Sequence, residues 1–465
     1  MIRLLRTMLP LMLLLIAADV ATAQTVIPIP RFITDYEILD VQLTQARDGR
    51  WEYLDLAAVF VGLVLASYFA LVRRSRRGLF LLSIASIAWL GFWREGCVCP
   101  IGAIQNVALV MSDSSYAIPT VVVAMFVLPL VFTLFFGRTF CAAVCPLGAV
   151  QEVVAVRPVK VPAWLDQTLG LLAYVYLGLA VVMATTGESF LICRYDPFVA
   201  LFRLGGSFNM LVFGGCFLVV GVFVGRPYCR YLCPYGAILG LLSKVSKWHV
   251  KIPPEECIQC RLCEDACPYG AIREPTVDQT ATRRRHGRRR LAALIVLLPV
   301  LVGVGVGVGG LLKVPLSRFD FTVRLAERMR FEGRMEEEVQ RRVQSTGLSG
   351  SKIWGEVLDE YGQEERTTDA SADFRVSGQP IEELYRHAYD RTMHYGTLGR
   401  WLGGWVGLVI GVKLIYLAVR RRRRDYQPDR TGCVACGRCF WYCPGEHARQ
   451  GWIAGPIAGQ GDSRL

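Results

Sequence analysis

Long apolar runs separated by short basic stretches set the pattern of this chain. Runs near membrane-spanning length occupy 54–72, 79–93, 117–136, 167–185, 208–225, 291–312 and 399–419. In lipid such runs are expected as helices, because each backbone N–H and C=O must find its partner within the segment. The run at 79–93 is short for a bilayer and is expected to tilt, extend or be partly re-entrant. Ahead of them, MIRLLRTMLPLMLLLIAADVATAQ joins a basic start at Arg3 and Arg6 to an apolar stretch and a small-residue site, Ala21-Thr22-Ala23. That order predicts a cleaved signal peptide over 1–23 and a mature N-terminus outside the cytoplasm. The expected fold is an all-α polytopic membrane protein with about seven spans after the signal peptide.

Seven crossings from an external start would place 73–78, 137–166, 226–290 and 420–465 in the cytoplasm. They would leave 24–53, 94–116, 186–207 and 313–398 outside. Arg73, Arg74, Arg76 and Arg77, the runs 283–285 and 288–290, and Arg420–Arg424 all fall on the cytoplasmic side of this count, as basic flanks should. The expected order is a short periplasmic segment (24–53), a five-span domain (54–248), a cytoplasmic ferredoxin half (249–280), and a basic segment with the sixth span (281–312). A periplasmic helical segment (313–398), the seventh span (399–419), and a second cytoplasmic ferredoxin half with its tail (420–465) complete it. Residues 313–398 carry ERMRFEGRMEEEVQRRV and PIEELYRHAYDRTMHY and read as a small helical cap or docking surface. VGVGVGVGG at 302–310 suits close helix packing in lipid. It is not a phosphate loop, because no Gly-Lys-Ser/Thr follows.

The formal charge is +13, yet 53% of the residues are hydrophobic and only 20% charged. Because the arginines sit beside apolar runs, membrane lipid is the expected anionic partner and nucleic acid is not.

Cysteine carries the chemistry. Twelve of the sixteen cysteines lie in short arrays with metal-ligand spacing, which a disulfide framework does not explain. Cys257-x2-Cys260-x2-Cys263-x3-Cys267-Pro268 recurs as Cys433-x2-Cys436-x2-Cys439-x3-Cys443-Pro444. In bacterial-type two-cluster ferredoxins each such run gives three thiolates to one cubane and its fourth to the neighbour. One split ferredoxin is therefore expected, with one [4Fe–4S] cluster on Cys257, Cys260, Cys263 and Cys443 and the other on Cys433, Cys436, Cys439 and Cys267. A second repeat, GRTFCAAVCPLGAV at 137–150 and GRPYCRYLCPYGAI at 225–238, supplies Cys141, Cys145, Cys229 and Cys233. These four are expected to enclose a third [4Fe–4S] cluster, with zinc as the rival metal. GCVCPIGAI at 96–104 looks like a degenerate third copy. Its Cys97 and Cys99, with Cys193 in FLICRYDPF, suit either a periplasmic-side metal or iron–sulfur centre or a disulfide from Cys193 to one of the pair. Cys216 is expected to be a small buried hydrophobe. The five histidines, His249, His286, His387, His394 and His447, lie outside the expected spans, and no Cys-x-x-Cys-His occurs, so haem is not expected. No catalytic residue is assigned.

REGCVCPIGAIQNV, GRTFCAAVCPLGAVQEV, ICRYDPFV, GRPYCRYLCPYGAIL and the two ferredoxin runs together resemble the NosR/NirI family of membrane polyferredoxins, and more loosely the quinol-oxidising NapH-type proteins. The likeness covers roughly 51–272 and 399–450. It implies a bacterial inner-membrane protein serving periplasmic denitrification through a nitrous oxide or nitrite reductase or its accessory proteins; the crossing count puts its C-terminus in the cytoplasm. Loss of such proteins can also appear as failed expression or maturation of the reductase. Larger members carry a periplasmic flavin-binding domain. Residues 24–50 are too short for one, so no flavin domain is detected. The leading expectation is an electron conduit from the quinol pool or a cytoplasmic donor toward a periplasmic reductase. The alternative is a redox-sensing regulatory or maturation factor for such a reductase. Few polar groups line the spans, which disfavours a transporter.

Overall fold

The computed structural model of the chain describes residues 49–94, 100–113, 115–187, 190–203, 205, 208–252, 257–276, 281–347, 349–362, 367–419, 423 and 425–453. The signal peptide over 1–23, most of 24–53, Cys97, Cys99, most of the Arg420–Arg424 run and the tail from 454 onward lie outside the described residues.

Among the described residues, four helices are long and apolar enough to cross a membrane: Arg50–Val72, Ala163–Thr185, His286–Leu311 and Ile381–Ala418. The chain is a multi-spanning membrane protein, but the expectation of about seven spans is corrected. The run at 117–136 forms a 17-residue helix, Thr120–Phe136, bounded by Pro119 and by Gly137 at φ 72°. The run at 208–225 forms a 16-residue helix, Phe208–Phe223. At 1.5 Å per residue these reach only ~25 Å, short of the ~30 Å hydrocarbon core. The run at 79–93 is divided between the helix Arg76–Ser86 and a π-helical turn, Ile87–Trp93. Apolar composition marks a segment that avoids water, whether lipid or other helices cover it, so hydropathy overcounted. The sidedness derived from seven crossings loses its basis with the count.

The chain divides into two compact units. The first comprises Met1–Thr185, Phe190–Gly287 and Val419–Leu465; the second comprises Thr186–Ser189 and Arg288–Ala418.

In the first unit the helix Gly49–Ser67, continued by the π-helical turn Tyr68–Val72, packs against Thr120–Phe136. Phe60 meets Phe132 edge to face at 5.8 Å. Asp55 and Arg94, both buried, pair at 2.6 Å, and Trp89 Nε1 donates to the same carboxylate at 2.9 Å. A buried charge needs such a partner. The one described sheet has two antiparallel strands, β1 (Ile272–Arg273) and β2 (Gln427–Pro428), in the register Ile272↔Pro428. It joins the segments that carry the two long cysteine runs.

In the second unit glycine decides the packing. A Cβ on Gly403 would land on the carbonyl oxygen of Gly305, and one on Gly399 would land on that of Gly309. Only hydrogen fits there, and the close approach replaces the hydrophobic drive that lipid does not supply. Residues 313–398 form the helices Lys313–Ser317, Phe321–Thr346, Gly350–Glu360 and Asp369–Val376 and the first part of Ile381–Ala418. Val323, Ala326, Met329, Leu384 and Ala388 form one small core; Met335, Val339, Ile353 and Val357 form another. His286, His387 and His394 fall within the long helices, which run beyond the apolar stretches expected at 291–312 and 399–419.

Candidate metal centres

Proline places the repeated cysteines. A residue before proline is biased to extended backbone, and proline suits the first helical position. Cys145 (ψ 116°) and Cys233 (ψ 112°) are accordingly extended N-caps of Pro146–Val154 and Pro234–Ser243. Their partners precede them by one turn: Cys141 lies in the π-helical turn Phe140–Val144 and Cys229 in the helix Pro227–Tyr231. The two copies meet. Cys233 lies within electrostatic reach of Cys229, Cys145 and Cys141, and Cys141, Cys145 and Cys233 are buried. Gln151 Nε2 donates to Cys229 Sγ at 3.4 Å, and the Gly236 N–H donates to Cys233 Sγ at 3.2 Å.

The arginine that opens each copy crosses to the other. A Cβ on Gly236 would stand 3.3 Å from Arg138 Nη2, and one on Gly148 would stand 3.2 Å from Arg226 Nη1. Arg226 donates to the carbonyl oxygens of Cys141 and Ala142, and Arg138 lies 3.8 Å from Cys141 Sγ.

The two long cysteine runs share a backbone pattern. Gln259 and Arg261 adopt left-handed φ of 55° and 63°, and the equivalent Ala435 and Gly437 adopt 54° and 75°. A non-glycine residue pays for that conformation, and here the same sequence offset pays twice. The short helices Leu262–Asp265 and Arg438–Trp441 follow and pack on each other. Around the strand pair, Asp429 N–H donates to Ala271 O at 2.6 Å and Thr276 N–H to Arg423 O at 3.0 Å.

The fourth cysteine of each run lies within electrostatic reach of the other run. Cys263 lies within electrostatic reach of Cys257, Cys260 and Cys443; Cys433 and Cys436 lie within reach of Cys267. Cys439 senses Cys433, Cys436, Cys267 and Cys263. Peptide N–H groups of Gly445 and Glu446 aim at Cys443, that of Ala435 at Cys433 and that of Glu264 at Cys263.

One carboxylate joins these arrays. Glu152, 3% exposed, lies at 2.6 Å from Arg76 and 3.0 Å from both Arg226 and Arg438, and accepts from Tyr269 Oη at 2.6 Å. Burial alone would raise its pKa, but Arg226, Arg76 and Arg438 outweigh it and hold the carboxyl well below the ordinary range. Arg76 also donates to the Cys436 carbonyl at 2.9 Å and Arg438 to that of Ala155 at 3.3 Å. Arg138 reaches the Thr431 carbonyl at 2.9 Å, and Arg230 that of Pro268 at 3.1 Å.

The donors are cysteine sulfurs, soft ligands of the kind that hold iron–sulfur clusters or zinc. Burial pushes the Cys229 and Cys433 thiols up to about 12 and Cys263 up to about 11, so the residues alone hold them neutral; a bound cation holds such thiols deprotonated. Among the described residues, no three His, Cys, Asp or Glu side chains close around a point suited to one metal ion.

Cys193 is exposed on the short helix Leu191–Tyr195, and its expected partners Cys97 and Cys99 lie outside the described residues. Cys216 is also exposed, which corrects its expected burial, because the helix Phe208–Phe223 buries only Gly214 and Gly221.

Sequence reading missed Arg138, Arg226, Gln151, Glu152 and Tyr269. A signal was present. Both copies open with Gly-Arg, and where the second reads Leu239-Gly240 the first carries Gln151-Glu152. That polar pair breaks an otherwise close repeat.

Family profiles of 4Fe-4S binding domains match the chain: one (Fer4_5) at 118–164 and again at 207–253, another (Fer4) at 250–273. Over 186 residues the chain is 31% identical to the uncharacterized protein MJ0750 of Methanocaldococcus jannaschii, covering 38% of this chain and 75% of that protein. It is 30% identical to YccM of Escherichia coli, whose description proposes electron transport, over 24% of this chain and 34% of YccM. It is 29% identical to the regulatory protein NosR of Pseudomonas aeruginosa over 24% of this chain and 16% of NosR. The chain thus spans about a third of YccM and a sixth of NosR. No solved structure matches.

Proposed function

The chain belongs to the same family as MJ0750 of M. jannaschii and is an iron–sulfur protein, and from that premise we propose that it is a redox-sensing regulatory or maturation factor for a periplasmic reductase. The observation that carries this reading is the Glu152 network. It ties both long cysteine runs, through Arg76, Arg438 and Tyr269, to the helix that follows Cys145 and, through Arg76, to the end of the first long membrane helix. A change of charge at any cysteine array acts on the same arginines, so it acts on membrane helices as well. The name of NosR as a regulatory protein supports the same direction. The NosR/NirI likeness makes a nitrous oxide or nitrite reductase of denitrification the proposed system.

In this proposal Cys257, Cys260, Cys263 and Cys443 hold one [4Fe–4S] cluster, and Cys433, Cys436, Cys439 and Cys267 hold the second. Cys141, Cys145, Cys229 and Cys233 hold the third. The 4Fe-4S family profiles support clusters over a single ion such as zinc. Bound there, the clusters supply one-electron chemistry; the chain supplies burial, peptide N–H groups and arginines that stabilise negative charge. Arg73–Arg77 at the end of the first long helix support a cytoplasmic position for the long runs.

A second reading is an electron conduit to that reductase from the quinol pool or a cytoplasmic donor. The contacts of the repeat pair with both long runs, through Arg138 and Arg230, and the description of YccM favour it. Anaerobic purification with iron, sulfide and zinc analysis and EPR tests the shared core: about twelve irons and twelve sulfides per chain are expected, and zinc in place of iron overturns both readings. Proteoliposomes separate them. A sensor leaves an enclosed oxidant unreduced when a reductant is added outside, and a conduit reduces it.

A further inference from the structure

A cavity of about 520 Å³ opens where the first long membrane helix ends, lined by Arg73, Arg74, Arg76, Arg77, Trp441 and Trp452 among others. Two of the four guanidinium groups are spoken for: Arg74 pairs with Glu446 at 2.7 Å and Arg76 with Glu152 at 2.6 Å. Arg73 and Arg77 are exposed, and among the described residues no carboxylate pairs with either. Arg77 lies 5.3 Å above the Trp441 ring. We propose that this cavity binds the phosphate headgroup of an anionic membrane phospholipid.

Four observations select that ligand. The unmatched charge is positive, and planar guanidinium forks match phosphate oxygens. The cavity follows directly on Val72, the last residue of a helix long enough to span, which is headgroup level. Tryptophan rings suit that level, apolar on the ring and polar at the indole N–H. Val72, directly before the lining arginines, and Phe80 and Leu81, three and four residues after Arg77, are exposed and offer apolar surface to acyl chains, which a free phosphate would not use. The volume lies within the range of small-molecule sites. One wall belongs to the second cysteine run: Arg74 lies 5.2 Å from the Phe440 ring, and its partner Glu446 aims a peptide N–H at Cys443. A bound headgroup therefore fastens that segment to the leaflet.

Native mass spectrometry of the full chain in detergent, titrated with phosphatidylglycerol, phosphatidylcholine or inorganic phosphate, tests the site. The parent should retain one phosphatidylglycerol in preference to phosphatidylcholine, undisplaced by millimolar phosphate. R73Q/R77Q should weaken that retention about 30-fold, at the strength expected of two basic residues near an anionic surface. Trp452→Ala, which leaves the charges intact, should weaken it too and serves if the arginine variant loses its visible cluster absorbance. Equal retention of the two lipids, unchanged retention in the variants, or displacement by inorganic phosphate, the mark of a free-anion site, would overturn the proposal.

Discussion

Glu152→Gln removes one charge and almost no volume from the point where the arrays meet. The carboxylate is 2% exposed at its side chain and faces Arg226 at 1%, Arg76 at 19% and Arg438 at 17%. Glutamine can still accept from one arginine, but its amide N–H₂ then confronts another, and three guanidinium groups lose the anion they share. Removing one partner of a buried ion pair costs about 3–5 kcal/mol, because the remaining charge stays desolvated. At roughly 1.4 °C per kcal/mol for a unit of roughly 330 residues, the apparent melting temperature of the first unit should fall by roughly 4–7 °C. Circular dichroism of the purified chain with bleaching of the visible iron–sulfur band reads both fold and clusters. The pH dependence follows from the depressed carboxyl. Its stabilisation is complete above the ordinary value of 4.5 and is lost only as pH falls below that toward the lower folded-state value. The gap between parent and variant should therefore be constant from neutral pH down to about 5 and narrow below it. A variant melting within about 2 °C of the parent at neutral pH would refute the idea that Glu152 holds the arrays together.

Cys443→Ser should remove about four irons while leaving the cluster on Cys433, Cys436, Cys439 and Cys267 visible by EPR; loss confined to that second cluster would show that the runs do not exchange fourth ligands. Burial, with Arg430 and Lys251 nearby, holds His249 down at about 4 against an ordinary 6.5. The unfolded chain therefore takes up that proton first, and stability at His249 should be full above about pH 6.5 and decline between 6.5 and 4. His249→Gln should flatten that part of a melting-temperature profile against pH. Gly403→Val places side-chain atoms on the Gly305 carbonyl, and detergent-titrated unfolding of the second unit should show a loss of about 1–3 kcal/mol.

The chemistry of this protein is written in its sequence because it depends on local spacing. Cys-x2-Cys-x2-Cys-x3-Cys-Pro dictates its own loop: the left-handed turns at Gln259, Arg261, Ala435 and Gly437 and the helix start after each Cys-Pro depend on near neighbours alone. The membrane character was equally legible, since long apolar helices need no partner to be recognised. The number of spans was not, because Thr120–Phe136 and Phe208–Phe223 are as apolar as a true span and differ only in length. Length is set where Pro119 and Gly137 stop a helix, and hydropathy does not register that stop. Tertiary structure alone brought Glu152 to Arg226, 74 residues on, and to Arg438, 286 residues on. Sequence shows the charges; which of them share one buried, low-dielectric point, and so cannot be changed singly, is decided when the segments pack.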